Sequence, residues 1–418
     1  MSFRAGVATV DITPRPGIWM AGFAARRCPS EGVALPLHAK ALALQWRDRT
    51  AVLVTLDLLG VTAQMSARIA AAVERSHGVA RDALLLNASH THSGPVTDDL
   101  LSVAYDLSDD QRAVISHYTR ELEQKVVGAI TSALSRLEPA HVAFGQGAAS
   151  FAANRRVQFT PDGPVDHAVP VLRIARDGGH LLAIVFGYAC HNTTLQSEFC
   201  HFHGDYAGVA QAALEERHAA ATALFVAGCG ADVNPKPRGT LELVRQHGQA
   251  LADAVDGALR MARGVAGPIR TAYDTVELPF APVPGRDEWK AKLDDENVYV
   301  RRHARLMLDV LERDGRLPPG QHDPLQVWRF GDDLTLIAMG GEVVVDYSLK
   351  LKKEHGRHVW TAGYSNDVFG YVPSLRVLEE GGYEGGGAMM YYGKPGPFAR
   401  DVEDRIHAKI RTLVRRTS

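Results

Sequence analysis

Leu84-Leu-Leu-Asn-Ala-Ser-His-Thr-His-Ser-Gly-Pro95 is the stretch whose reading decides the fold of this chain. The apolar run reads as a buried strand. It ends in two imidazoles at i and i+2, His90 and His92, and Ser-Gly-Pro then forces a turn. Residues two apart on a strand point to one face, so the spacing predicts two neutral nitrogen donors leaving a strand end together. Strand ends are where α/β proteins place their sites, and imidazole is a common ligand for zinc. The pair alone is a weak signal that fits hydrogen-bonded surface histidines better than a metal site, so the rest of the chain has to decide.

Working outward, Ala51 to Asp57 reads as a buried strand ending in an acid, and Met65 to His77 has helical periodicity. With the strand that leads to His90 they form a βαβ pattern, which favours parallel pairing. Ser108 to Leu137 reads as a long helix with Ser108-Asp109-Asp110 as its capping start. A strand over Leu181–Cys190 delivers His191. A helix from Tyr206 to His218 precedes a strand over Ala223–Ala227, and Leu241 to Arg263 is helical. The charged stretch 285–317 reads as an exposed, amphipathic helical pair and the best candidate for a surface insertion. A strand starts at Leu334, and Glu342 follows its Gly-Gly end. Residues 366–398, rich in Gly, Tyr and Pro, read as a structured loop region, and Asp401 to Arg415 is a last helix. The expected fold is α/β, with mixed β-sheets flanked by helices in a single large domain.

Composition narrows the function. The chain has 418 residues, 46% apolar and 22% charged, with a net charge of −2 and no long single-sign block. That excludes a dedicated nucleic-acid binder, which would carry a basic patch. No run reaches the ~18 apolar residues that span a bilayer, so no stable membrane insertion is expected. The N-terminus lacks a signal peptide's apolar centre, which predicts a cytoplasmic protein. Four cysteines are too few for a disulfide scaffold and read as reduced thiols.

Other candidate groups follow from position. His191 ends its strand as His90 does; in isolation it would read as a core histidine bonded to backbone. Cys190 would point to the opposite face and into the core. His201, His203 and Asp205 precede a helix, as groups supporting a site or as plain loop polars, with Asp205 placed to cap that helix. The roles of Asp57 and Asp232 stay open. No Gly-x-Ser-x-Gly elbow occurs, so a serine hydrolase has no anchor.

Taken in order, the motifs resemble the neutral/alkaline ceramidase family, in particular its catalytic domain. The pieces are Gly6-Val-Ala-Thr-Val-Asp-Ile-Thr-Pro14, Pro36-Leu-His-Ala-Lys-Ala41, Ser89-His-Thr-His-Ser-Gly-Pro95, Asn154-Arg155 and Ala189-Cys-His191. Gly230-Ala-Asp-Val-Asn-Pro235, Gly341-Glu342, Ser365-Asn366 through Gly370-Tyr371, and Gly382-Tyr-Glu384 continue the series. They are short but run in family order over nearly the whole chain. The resemblance implies a catalytic domain over 1–418 with a zinc ion (Zn2+) held by His90, His191, Glu342 and Tyr371. It places His92, Arg155 and Tyr383 around the scissile amide.

Two departures matter. Larger members carry a serine, proposed as nucleophile, where this chain has Asn234. An asparagine forms no acyl-enzyme, so zinc-activated water is the expected nucleophile, and Asn234 is expected to orient a neighbour. Ceramidases also carry a C-terminal immunoglobulin-like domain, which this sequence does not show. The expected activity is therefore zinc-dependent hydrolysis of a carbon–nitrogen amide bond in a small amide or N-acyl compound rather than ceramide. An esterase or lactonase with the same site, and a non-catalytic metal-binding homologue, are the alternatives.

Overall fold

The computed structural model describes residues 3–356 and 358–418. Its main layer is a nine-stranded mixed sheet. Strands run across it in the order Thr222–Ala227, Leu181–Tyr188, Ala168–Arg176, Glu138–Ala148, Phe3–Asp11, His38–Trp46, Arg49–Leu56 and Leu84–Ala88, with Arg263–Gly264 beside Glu138–Ala148. The βαβ reading is met: Arg49–Leu56 and Leu84–Ala88 pair in parallel around the helix Ala63–His77. Leu84–Ala88 is buried at every residue, as a strand covered on both faces should be.

The two edge strands approach each other through Asn87. Its Oδ1 accepts from Ala227 N at 2.8 Å, and its Nδ2 donates to Gly363 O and Ser365 Oγ at 2.8 and 3.0 Å. Asn366 then reaches back, its Oδ1 accepting from Leu86 N at 3.2 Å. These side chains satisfy edge groups that would otherwise be buried without partners.

A second, four-stranded sheet runs Ile269–Pro279, Gly320–Phe330, Leu334–Met339 and Val359–Ala362. Its core joins Val343, Val344 and Tyr347 to the last helix, Val402–Arg416. The described residues form one compact α/β body.

Helix boundaries follow local chemistry. Asp109–Ser135 starts on a full capping box between Ser108 and Gln111. Within 285–317 the helical pair is present as Arg286–Ala291 and Val298–Asp314, with Trp289, Ala304 and Met307 as its own small core. It docks on the main body through Tyr299 Oη, which donates to Ala24 O at 2.8 Å.

Four expectations need correction. His90 and His92 do not lie on a strand: pairing stops at Ala88, and His90 sits in the left-handed region with φ 61°. The strand before His191 likewise ends at Tyr188. Asp205 is not an N-cap. Gly204 holds that position, and the Asp205 carboxylate accepts from Leu195 N at 2.9 Å and Tyr206 N at 2.7 Å. The 366–398 region also contains a helix, Leu375–Glu380, and a 3₁₀ turn at Gly387–Met390.

Candidate metal centre and active site

The His-Thr-His turn is held open by its own middle residue. Thr91 forms a parallel bridge with Asn192, and its Oγ1 donates to His203 O at 2.7 Å. That bridge sets His90 and His92 beside His191. The turn therefore does what strand alternation was expected to do, through a left-handed residue held by its surroundings.

The two buried histidines His90 and His191 are oriented in the same way. His90 Nδ1 lies 2.7 Å from Leu59 O, and His191 Nδ1 lies 2.9 Å from Gly230 O. A carbonyl only accepts, so each Nδ1 carries the proton and each Nε2 is left with a lone pair. Gly230 has to be glycine for this approach, since a Cβ there would lie 2.4 Å from Cys190 N.

Both Nε2 atoms point at one carboxylate oxygen. Glu342 Oε2 is 3.1 Å from each and has no hydrogen-bond partner, although the residue is only 2% exposed. Its other oxygen accepts from the Tyr392 hydroxyl. Two lone pairs facing a buried carboxylate oxygen leave an uncompensated cluster of acceptors. A cation among the three atoms resolves it, and these donors suit zinc. The carbonyls behind the imidazoles and the tyrosine behind the carboxylate are the supporting partners such ligands need.

Electrostatics agree. Burial and the Arg155 charge push His191 down to about 4, so it is neutral at physiological pH.

His92 stands apart. Its Nε2 is 3.2 Å from His90 Nε2, and its Nδ1 is buried without a partner. With His90 and His191 it forms a group of three imidazoles, each offering a nitrogen within 4.8 Å of the others, that could hold a metal ion. No backbone carbonyl fixes its tautomer, unlike the other two. Burial and its histidine neighbours hold it well below the ordinary imidazole value.

Arg155 approaches from the other side. Asp232 O accepts from Arg155 N at 2.8 Å, and Glu384 Oε1 accepts from its Nε at 2.6 Å. Its Nη2 donates to Tyr371 Oη at 3.0 Å, and Tyr371 Oη in turn lies 3.4 Å from His191 Nε2. Its Nη1 reaches Asn234 Oδ1 at 3.4 Å, and the Thr193 hydroxyl donates to the same oxygen at 3.3 Å. Burial opposes the guanidinium charge, but Tyr371 and Glu384 raise its pKa well above the ordinary value. Tyr383 is 46% exposed at the rim, with its ring 5.2 Å from that of Tyr371.

The structure thus gathers His90, His92, His191, Glu342, Tyr371, Arg155, Asn234 and Tyr383 at one place. His201, His203 and Asp57 lie elsewhere. His203 supports the His-Thr-His turn through its backbone, and Asp57 accepts from His38 N and Gln211. Asp232 is a buried scaffold for Arg155, its carboxylate accepting from Val345 N at 2.8 Å.

Sequence reading missed three residues. Glu384 binds Arg155 and the fully buried Arg156. Tyr392 holds Glu342, and Tyr364 lays its ring 4.3 Å from that of His90. Each is reached over a long sequence separation, so only the adjacency of Glu384 to Tyr383 could have flagged any of them.

Comparison with known proteins gives a family and a fold. A family model described as neutral/alkaline non-lysosomal ceramidase, N-terminal, matches residues 3–241. That span holds His90, His92, Arg155, His191 and Asn234, but not Glu342, Tyr371 or Tyr383. No curated protein sequence matches the chain. The crystal structure of neutral ceramidase from Pseudomonas aeruginosa is similar with a TM-score of 0.77, at 17% identity, over 99% of this chain and 74% of that one. A structure described as ceramidase complexed with C2 is similar with a TM-score of 0.74, at 16% identity, over 99% and 76% of the two chains. At such identities the likeness speaks for the fold alone.

Proposed function

The chain belongs to the neutral/alkaline non-lysosomal ceramidase family, a family of amide-bond hydrolases, and from that premise we propose that it is a zinc-dependent hydrolase of carbon–nitrogen amide bonds. The observation that carries the zinc is the convergence of two proton-free imidazole nitrogens on the unpartnered Glu342 Oε2. His90, His191 and Glu342 would hold the ion, with Tyr371 as a weak fourth ligand. Zinc bound there supplies a Lewis acid for the carbonyl and lowers the pKa of water to near neutrality.

The protein's own groups account for the rest of the reaction. Arg155, held on three sides by Glu384, Asn234 and Tyr371, presents a fixed positive charge to the oxygen that becomes negative as the carbonyl is attacked. His92, neutral and with no carbonyl fixing its tautomer, takes a proton from the attacking water and returns it to the leaving amine. Asn234 positions Arg155 and forms no acyl bond. Tyr383, at the rim, contacts the arriving substrate.

The substrate class is a linear amide or N-acyl compound. We favour a smaller, more soluble amide over a two-tailed lipid. The test is a panel of short water-soluble amides, the matching esters and long-chain ceramide, with mass spectrometry of quenched enzyme. The reading expects the short amides to turn over fastest and the protein mass to stay unmodified. Ester turnover well above amide turnover would favour the esterase alternative. Faster ceramide turnover would overturn the substrate class, and an acyl adduct, on Thr193 for example, would overturn the direct attack of water.

A further inference from the structure

We propose that Cys28 and Cys200 form a reversible disulfide that clasps the loop lying over His92. The two sulfurs are 2.8 Å apart, although the residues are 172 positions apart in the chain. Both are free thiols. Their backbones are fixed to each other independently of the sulfurs. Glu31 N donates to Cys200 O at 2.7 Å, and Gly32–Val33 pairs in parallel with His201–Phe202. Local pairing therefore sets the separation, and a bond between the sulfurs adds to a junction already built.

The segment ahead of Cys28 packs against the active site. Phe23 lies 4.7 Å, ring to ring, from His92, and a Cβ on Gly22 would come within 2.5 Å of the same imidazole. Buried Arg26 ties both sides together, donating to Phe199 O at 2.6 Å and to His92 O at 2.9 Å. One end of this short loop rests on His92 and the other on Cys200.

A metal ion fits the pair less well. Two thiolates on tetrahedral zinc, each about 2.3 Å from the ion, sit about 3.8 Å apart, so these sulfurs would have to separate by about 1 Å. Bond formation asks for a closure of about 0.8 Å. Among the described residues, the one neighbouring third ligand for a cation, Glu31, is exposed.

The chemistry balances with a low-molecular-weight disulfide such as oxidised glutathione as oxidant. The thiolate of Cys28, the more exposed of the two, attacks one sulfur and releases one glutathione thiolate. The Cys200 thiolate then attacks Cys28 Sγ and expels the second. Two S–H bonds are lost, one S–S bond forms, and the two electrons reduce the oxidant to two thiols.

The experiment treats the full-length protein with oxidised glutathione and, separately, with dithiothreitol. Alkylation and mass spectrometry then follow, alongside melting curves and hydrogen exchange over residues 22–27. The expected result is a mass lower by two hydrogens, with a cross-linked peptide pair containing Cys28 and Cys200. Tm should rise by roughly 3–5 °C on oxidation, since the bond closes a long loop. Exchange over 22–27 should slow several-fold, and Cys28→Ser should abolish all of these differences. Full alkylation of both thiols after oxidant overturns the proposal. So does protection of both thiols by added zinc in the absence of oxidant, which would make the cluster with Glu31 a metal site.

Discussion

The proton on two imidazoles decides the chemistry at the residue scale. Leu59 O and Gly230 O each fix a proton on Nδ1, and this turns His90 and His191 into a matched pair of donors around Glu342. Arg155 is the complementary group, a cation that faces the centre without belonging to it. Arg155→Ala should therefore leave zinc content at wild-type level and lower kcat by roughly 10²–10³. Elemental analysis beside steady-state kinetics checks this, and intact turnover would remove Arg155 from the reaction. His90 and His191 were legible as candidates because each stands just beyond an apolar run, whereas their grouping with Glu342 came from the order of the family-like motifs. Glu384 and Tyr392 were not legible. A carboxylate that serves an arginine 229 positions away, and a phenol that serves a glutamate 50 positions away, leave no local periodicity to read.

Elements placed these residues differently from the way strand periodicity suggested. Apolar runs marked the strands leading to His90 and His191, and capping and periodic signals marked most long helices to within a few residues, but the helix Val345–His355 and the strands Ile269–Pro279 and Gly320–Phe330 went unread. Periodicity could not show that the His-Thr-His segment leaves the strand before His90 and meets His191 through a parallel bridge at Thr91. The pairing of sheet edges through Asn87 was equally hidden, because one side chain there replaces a missing strand. Asn87→Leu would leave Ala227 N without a partner inside the protein, while Gly363 O and Ser365 Oγ would keep only their 2.9 Å bond to each other. The expected cost is roughly 1–3 kcal/mol, that of leaving one buried donor unsatisfied. Denaturant unfolding measures it, and a loss under about 0.5 kcal/mol, the range of surface substitutions, would show that the edges do not depend on Asn87.

The whole molecule brings its two sheets together at the loop 363–371, which carries Tyr371 and also buries Asp367. Burial lifts the Asp367 carboxyl to about 7, although Lys394 pulls the other way. A folded pKa raised above the unfolded value of 3.8 means the stabilising protonated form is fully present below about pH 4. That stability is lost as pH climbs through about 7. Asp367→Asn keeps an acceptor for Ala63 N, which Asp367 Oδ1 now binds at 3.0 Å, and cannot ionise. The variant should be the more stable protein at pH 8 and lose that advantage toward pH 4. Melting curves across this range check the sign, and an advantage that grows toward acid would contradict it. Fold class was legible in the order of motifs, whereas the meeting of the sheets at this loop depends on contacts no short segment encodes.

The central claim is that His90, His191 and Glu342 hold one zinc ion on which amide hydrolysis depends. Its most direct test is titration of metal-depleted protein with zinc while turnover of a short amide is followed. The account predicts no turnover without metal, a linear rise to one equivalent per chain, and a plateau beyond it. Full turnover in the metal-free protein, or silence at one bound equivalent, would contradict it.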